Sequence, residues 1–161
     1  TGLEEFRQQR NRALERDLVA IQGAPEAVRA IAVLTGGRIA CASGADLHKV
    51  KLQLGKVGIL DAFGAHVFSG QDMPHTKPHP DVYLAAAAAL GVDPKRCAVI
   101  EDTVTGATAG VAAGATVFGF SEGGPHHSTP EALRAAGAQV IFQRMEDLPA
   151  LLAAHAVDAV A

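Results

Sequence analysis

Aromatic residues are scarce in this chain of 161 residues, where they make up 4% of the sequence with one tyrosine and no tryptophan. So few large flat side chains argue against an aromatic-rich binding surface. No apolar run approaches the roughly 20 residues that a transmembrane helix needs, and charged, amphipathic sequence rather than a signal peptide follows Thr1. We therefore expect a cytoplasmic protein that does not act on or in a membrane.

The chain also has a small net charge and few cysteines. The net charge is −3, and no block of lysine and arginine interrupts the chain, which excludes the usual electrostatic basis for binding nucleic acid or anionic membranes. The two cysteines, Cys41 and Cys97, lie in apolar stretches and are expected to be buried, reduced thiols rather than a disulfide. Composition does not decide between a monomer and a homodimer.

Short apolar segments alternate with helical segments along most of the chain. Hydrophobic residues make up 48% of it, and glycine and alanine are plentiful, which favours helices packed closely on a sheet. This alternation predicts an α/β fold, a Rossmann-like parallel sheet with helices on both faces. The predicted strands are residues 38–42, 65–69, 97–100, 116–120 and 139–142. The predicted helices are residues 3–18, 26–34, 47–54, 80–90, 105–113, 130–136 and 148–155.

Polar residues follow three of these strands. Ser43 and Gly44 come after the first, Lys77 lies in the loop after the second, and Glu101 and Asp102 come directly after the third. Ligands of such sheets bind at the carboxyl ends of the strands, so we expect these residues to converge. A hydroxyl, an ammonium group and two carboxylates suit phosphoryl chemistry, since carboxylates hold Mg²⁺ and positive groups stabilise phosphoryl oxygens.

Each of these residues also has a purely structural interpretation. Ser43 could cap the helix that begins near Asp46. Lys77 could be a solvated surface side chain. The pair Glu101 and Asp102 could form a polar turn whose charge favours the amino terminus of the next helix.

Three segments resemble, in order, the second, third and fourth motifs of the haloacid dehalogenase-like (HAD) hydrolases. They are residues 42–44, 77–84 and 99–106, and they are most similar to the branch that contains β-phosphoglucomutase and small sugar-phosphate phosphatases. The run from residue 77 through residue 114 is the most specific part, and the resemblance extends over about residues 23–152. It implies a Mg²⁺-dependent phosphatase that acts on a small phosphorylated metabolite of the sugar-phosphate type.

The resemblance implies a role for each residue of the three motifs. Ser43 and Lys77 would be catalytic: Ser43, together with Gly44, would bind the phosphoryl group, and Lys77 would balance its charge and that of the nucleophile. Asp102 would be a direct Mg²⁺ ligand, with Glu101 as a second ligand or its neighbour. Thr103 and Thr105 fall where the metal loop becomes a helix and are expected to cap it.

The first motif of the family, an Asp-x-Asp pair at the end of a central strand, has no match here. In the family its first aspartate forms an aspartyl-phosphate and its second is the general acid and base. The resemblance thus implies that this chain is the C-terminal portion of a longer capped protein and is inactive alone. Residues 1–21 would be the end of a helical cap with its linker, and residues 22–161 the core. We expect two inner strand edges to be left unpaired, between segments 38–42 and 97–100.

The resemblance leaves the activity open in two respects. Without the aspartate pair, the domain could be a non-catalytic HAD-like module that binds phosphate or Mg²⁺. It could also belong to a phosphomutase of the β-phosphoglucomutase type, because the cap selects the substrate in this family.

Overall fold

The computed structural model describes residues 21–123 and 127–161. Strands and helices alternate along these ranges as the sequence predicts. The strands are β1 Cys41–Ser43, β2 Val67–Ser69, β3 Cys97–Glu101, β4 Thr116–Phe120, β5 Val140–Phe142 and β6 Ala159–Val160. The helices are α1 Ala24–Leu34, α2 Leu47–Lys56, α3 Leu60–Phe63, α4 Asp81–Leu90, α5 Val104–Ala112, α6 Pro130–Ala135 and α7 Leu148–Ala154.

All pairings between the strands are parallel. One group has the order β5-β4-β3-β6, and β1 pairs with β2 beside it. A bridge between Ile39 and Val160 joins the two groups. Across it, the Ala40 N–H donates to the Val160 carbonyl at 2.9 Å, and the Val160 N–H donates to the Arg38 carbonyl at 3.1 Å. The strands therefore lie side by side in the order β2-β1-β6-β3-β4-β5.

Strand β6 occupies part of the position that the sequence led us to expect empty. Its flanking residues complete the pairing with β3: the Ala161 N–H donates to Ala98, and the Ile100 N–H donates to Ala161, both at 2.9 Å. The prediction of two unpaired inner edges is therefore wrong over this part of the sheet. The strand is only two residues long, which is too short to produce a recognisable alternation in the sequence.

Helices cover both faces of the sheet, as predicted. Successive residues of a strand point to opposite faces. In β3, Ala98 packs with α1 and α7, whereas Val99 packs with α4, α5 and α6. Glu101, the last residue of β3, is two residues beyond Val99 and therefore points to the same face of the sheet, at its carboxyl edge.

Polar caps and glycines account for most helix boundaries. Thr103 caps α5 by accepting a hydrogen bond from the Gly106 N–H at 3.0 Å, which confirms its predicted capping role. The same prediction for Thr105 is wrong, because Thr105 lies within the helix. Asp46 caps α2 through the Lys49 N–H. Gly91 ends α4 with φ 70°, in the left-handed region that glycine favours.

Several details of the described residues differ from the sequence-based prediction. Strand β1 begins at Cys41 rather than at residue 38, with Ile39 in an isolated bridge, and the short helix α3 was not predicted. The expected cap remnant, residues 1–21, lies outside the described residues except for Ile21. Both cysteines are free, although Cys41 is only half-buried. No helix within residues 21–123 and 127–161 has the length and hydropathy required to cross a bilayer.

Candidate functional site

The carboxyl ends of β1, β2 and β3 meet at one edge of the sheet. We call this edge the rim and define it by five residues: Ser43, Gly44, Lys77, Glu101 and Asp102. The Lys77 ammonium reaches across it, with its Nζ 2.5 Å from Glu101 Oε1 and 3.4 Å from the Ala42 carbonyl oxygen. Lys77 is therefore not the solvated side chain of the structural interpretation, because its side chain is 16% exposed and paired with Glu101.

Glu101 is buried under three polar side chains. Oε1 accepts from the Lys77 ammonium and from the Tyr83 hydroxyl, and the Thr103 hydroxyl lies 3.4 Å from Oε2. The residue is 8% exposed. Burial, followed by the negative charge of Glu101, raises the pKa of Tyr83 far above its ordinary value, so the phenol remains a hydrogen-bond donor.

A glycine makes room for this carboxylate. A Cβ at Gly106 would lie 2.0 Å from the carboxyl carbon and from Oε2 of Glu101, closer than any real contact. Gly106 is in the first turn of α5, directly beneath the side chain that ends β3. Because Gly106 has no side chain, the buried Glu101 carboxylate can pack directly against the first turn of α5.

Asp102 extends the acidic character of the rim toward solvent. The residue is exposed, yet loss of water around its carboxyl raises the pKa of Asp102, and the neighbouring Glu101 charge adds to the effect. The positive charges of Lys77 and His127 act in the opposite direction. The negative charge of Glu101 thus opposes the ionisation of Asp102, which a bound cation would relieve.

Ser43 and Gly44 line an open cleft of about 670 Å³, whereas Lys77, Glu101 and Asp102 are not among its lining residues. The Ser43 hydroxyl accepts a hydrogen bond from the Ala45 N–H at 3.1 Å. The alternative in which Ser43 caps α2 is wrong, because Asp46 performs that function. The remaining lining residues are Ala45, Gly70, Gln71, Met73, Pro74 and Thr76.

The two carboxylates of the rim are oxygen donors of the kind that Mg²⁺ prefers. Residues 21–123 and 127–161 contain no group of three or more histidine, cysteine, aspartate or glutamate side chains arranged around a metal. They do provide the consecutive pair Glu101 and Asp102. Mg²⁺ usually keeps several waters and is bound through one or two carboxylates together with substrate phosphate. Glu101 and Asp102 are donors of the type that this mode of binding uses.

Sequence reasoning missed Tyr83 and Gly106. A signal existed for the first, because Tyr83 is the sole tyrosine of the chain and follows Lys77 by six residues. It lies on the buried face of the alanine-rich helix α4. For Gly106 there was no local signal, since its function depends on a side chain from another element.

Comparison with known proteins supports the same interpretation. A model of the haloacid dehalogenase-like hydrolases matches residues 2–114. This chain belongs to that family. Hexitol phosphatase B of Escherichia coli K12 is 41% identical over 93 residues, which are 58% of this chain and 41% of the relative. β-Phosphoglucomutase of Bacillus subtilis is 34% identical over 95 residues, 59% of this chain and 38% of the relative.

A solved structure agrees with these HAD relatives. A HAD family hydrolase from Deinococcus radiodurans R1, crystallised with bound phosphate and sodium, superposes with a TM-score of 0.74 at 36% identity. The match covers 86% of this chain and 62% of that protein. The resemblance to the sugar-phosphate phosphatase and β-phosphoglucomutase branch is therefore confirmed, and so is the α/β fold. The chain spans about two-fifths of the length of the two curated relatives.

Proposed function

We propose that this HAD domain belongs to a Mg²⁺-dependent phosphatase that acts on a small phosphorylated metabolite of the sugar-phosphate class. The observation that carries the proposal is the meeting of Lys77, Glu101 and the end of β1 at the rim, next to an open cleft. An ammonium group beside two carboxylates suits a phosphoryl group bound together with a divalent cation. The names of the relatives support the substrate class.

Each residue of the rim has a role in this proposal. Ser43 donates its hydroxyl proton to a phosphoryl oxygen, and backbone groups near Gly44 help to orient the same group. Lys77 places positive charge beside it. Glu101 and Asp102 hold Mg²⁺, which when bound supplies further positive charge at the transferring phosphoryl group.

The nucleophile is proposed to come from sequence outside these 161 residues. An aspartate would attack phosphorus, the bond to the leaving oxygen would break, and a second carboxyl would give that oxygen its proton. Water would then attack the aspartyl-phosphate and release inorganic phosphate. The 161 residues contain no Asp-x-Asp pair, so we expect them to be inactive alone.

The decisive experiment is an assay of phosphate release from a panel of phosphate esters, with and without Mg²⁺. It should compare the 161-residue chain with any longer polypeptide that its gene encodes. We expect turnover only for a polypeptide that includes the aspartate pair, and only with Mg²⁺. Replacing Lys77 by methionine should abolish it, whereas Lys95→Met, at an exposed lysine in the turn before β3, should not. Turnover of no ester, or turnover that persists in a chelator, would overturn the proposal.

Two alternatives have specific support. The absence of the aspartate pair favours a non-catalytic module, which would bind inorganic phosphate and Mg²⁺ without turnover in every polypeptide tested. The similarity to β-phosphoglucomutase favours a phosphomutase. A mutase would move phosphate between two positions of a sugar without net release, and ³¹P NMR of the reaction would distinguish the two.

A further inference from the structure

Tyr83 is held where it can organise the rim without touching a substrate. It is 4% exposed and lies in α4, on the face of the sheet toward which Glu101 points. Its hydroxyl donates to Oε1 of Glu101, the same oxygen that the Lys77 ammonium reaches. The Lys77 Nζ also lies 4.8 Å from the centre of the Tyr83 ring. One aromatic side chain thus contacts both members of the ion pair.

These contacts restrict the Glu101 carboxylate to one orientation. Oε1 has two donors, and the flat face of the carboxyl group lies against Gly106, where no Cβ intervenes. Oε2 has one longer contact, 3.4 Å to the Thr103 hydroxyl, whose oxygen also accepts the capping hydrogen bond from the Gly106 N–H. The two short hydrogen bonds on Oε1 therefore do most to fix the orientation of the carboxylate.

We propose that Tyr83 is a positioning residue of the metal and phosphate site. It fixes Oε1 of Glu101 together with the Lys77 ammonium, so that the carboxylate keeps one orientation at the rim before any ligand arrives. The inference rests on the proposed function, because it assumes that the rim binds Mg²⁺. Side chains that orient a metal ligand through its other atoms strengthen binding by reducing the freedom that the ligand must lose.

The test is the affinity of the 161-residue chain for Mg²⁺ alone, measured by displacement of Mn²⁺ and followed by EPR. We expect Tyr83→Phe to weaken Mg²⁺ binding about tenfold, the lower end of the effect usual for such orienting groups. The matched control is Thr35→Val, which also removes a buried hydroxyl that donates a hydrogen bond, here to the Ile31 carbonyl in α1. It should reduce stability and leave Mg²⁺ affinity unchanged.

A second readout does not depend on Mg²⁺. Tyr83 is the sole tyrosine and there is no tryptophan, so tyrosine emission of the chain reports on this one contact. Glu101→Gln should change that emission in the absence of metal, because a phenol bonded to a carboxylate emits differently from one bonded to an amide. Thr35→Val should not change it.

The outcomes separate this inference from the proposed function. Normal Mg²⁺ binding by Tyr83→Phe, with a loss of stability like that of Thr35→Val, would overturn the positioning role alone. An emission spectrum unaffected by Glu101→Gln would overturn it as well. No Mg²⁺ binding by the unaltered chain would overturn the inference, whereas the proposed function is decided separately, by Mg²⁺-dependent turnover in a polypeptide that includes the aspartate pair. Weakened Mg²⁺ binding together with an altered spectrum supports the inference.

Discussion

Several single residues at and near the rim act on one carboxylate, that of Glu101. Glu101 is buried and would be costly without partners, and Lys77 and Tyr83 supply them. Gly106 supplies the space. Two predictions concern single residues. One tests the space that Gly106 leaves for Glu101, and the other tests the charge of the neighbouring Asp102 carboxyl group.

Gly106→Ala should disrupt the site although alanine is the better helix former. The new methyl group would collide with the Glu101 carboxyl group, so the side chain or α5 must shift, at a cost of about 1–3 kcal/mol. Gly55→Ala in α2 is the control, because a Cβ there meets nothing within 4 Å. It should stabilise the chain by about 0.5–1 kcal/mol. Urea unfolding measures the free energy of unfolding of both variants. Equal stabilisation by the two substitutions would contradict the close contact between Gly106 and Glu101.

Asp102→Asn should make the metal-free chain more stable near neutral pH. A carboxyl whose pKa is raised on folding binds protons more readily in the folded state, so its ionised form opposes folding at neutral pH. The penalty is absent below the unfolded pKa of about 4, where both states are protonated. The gain in Tm should therefore shrink as the pH falls toward that value.

The control for this experiment is Asp61→Asn, at a carboxyl whose side chain is 78% exposed. It should change Tm little at any pH. Thermal unfolding by circular dichroism, repeated over a pH series without divalent cations, measures both variants. A lower Tm for Asp102→Asn than for the unaltered chain at neutral pH would contradict the prediction.

Among the elements, β6 has an effect out of proportion to its length. Two residues and their neighbours join β1 on one side to β3 on the other. Ala159 is fully buried and Val160 is 6% exposed. Without this strand, the described part of the sheet would separate into a two-stranded and a three-stranded unit.

Val160→Pro should therefore be more damaging than the loss of the side chain alone. Proline has no N–H to donate to the Arg38 carbonyl, and the loss of one such hydrogen bond costs about 0.5–1.5 kcal/mol. Val160→Ala keeps the N–H and is the matched control. We expect the proline variant to be less stable than the alanine variant by about 1 kcal/mol in urea unfolding. Equal stability would show that this pairing contributes nothing.

At the scale of the whole molecule, β6 lies between β1 and β3 and covers the inner edges of both strands. Exposed strand edges are templates for association with another chain. The state of association of the intact protein, monomer or homodimer, stays a prediction, as does its cytoplasmic location. Its dependence on β6 can be tested directly.

Removal of residues 158–161 should promote self-association. The edges of β1 and β3 that pair with β6 would be uncovered, and we expect a larger weight-average mass in sedimentation equilibrium, rising with concentration. Asp158→Ala is the control, because it keeps the strand and removes only an exposed pair with Arg96, which contributes little. A truncated chain with the same mass as the intact one at every concentration would contradict the role given to β6.

The sequence by itself determined the parallel α/β class and the order of the described strands and helices other than β6 and α3, and it singled out the five residues of the rim. Those properties follow from local signals: apolar alternation, glycine and polar caps, and motifs at successive strand ends. Only the tertiary structure decided which groups meet. Tyr83 and Gly106 act on Glu101 from two different helices, and β6 finds its neighbours in strands more than 50 residues away in the chain. Such contacts depend on packing between distant segments, which no local pattern encodes.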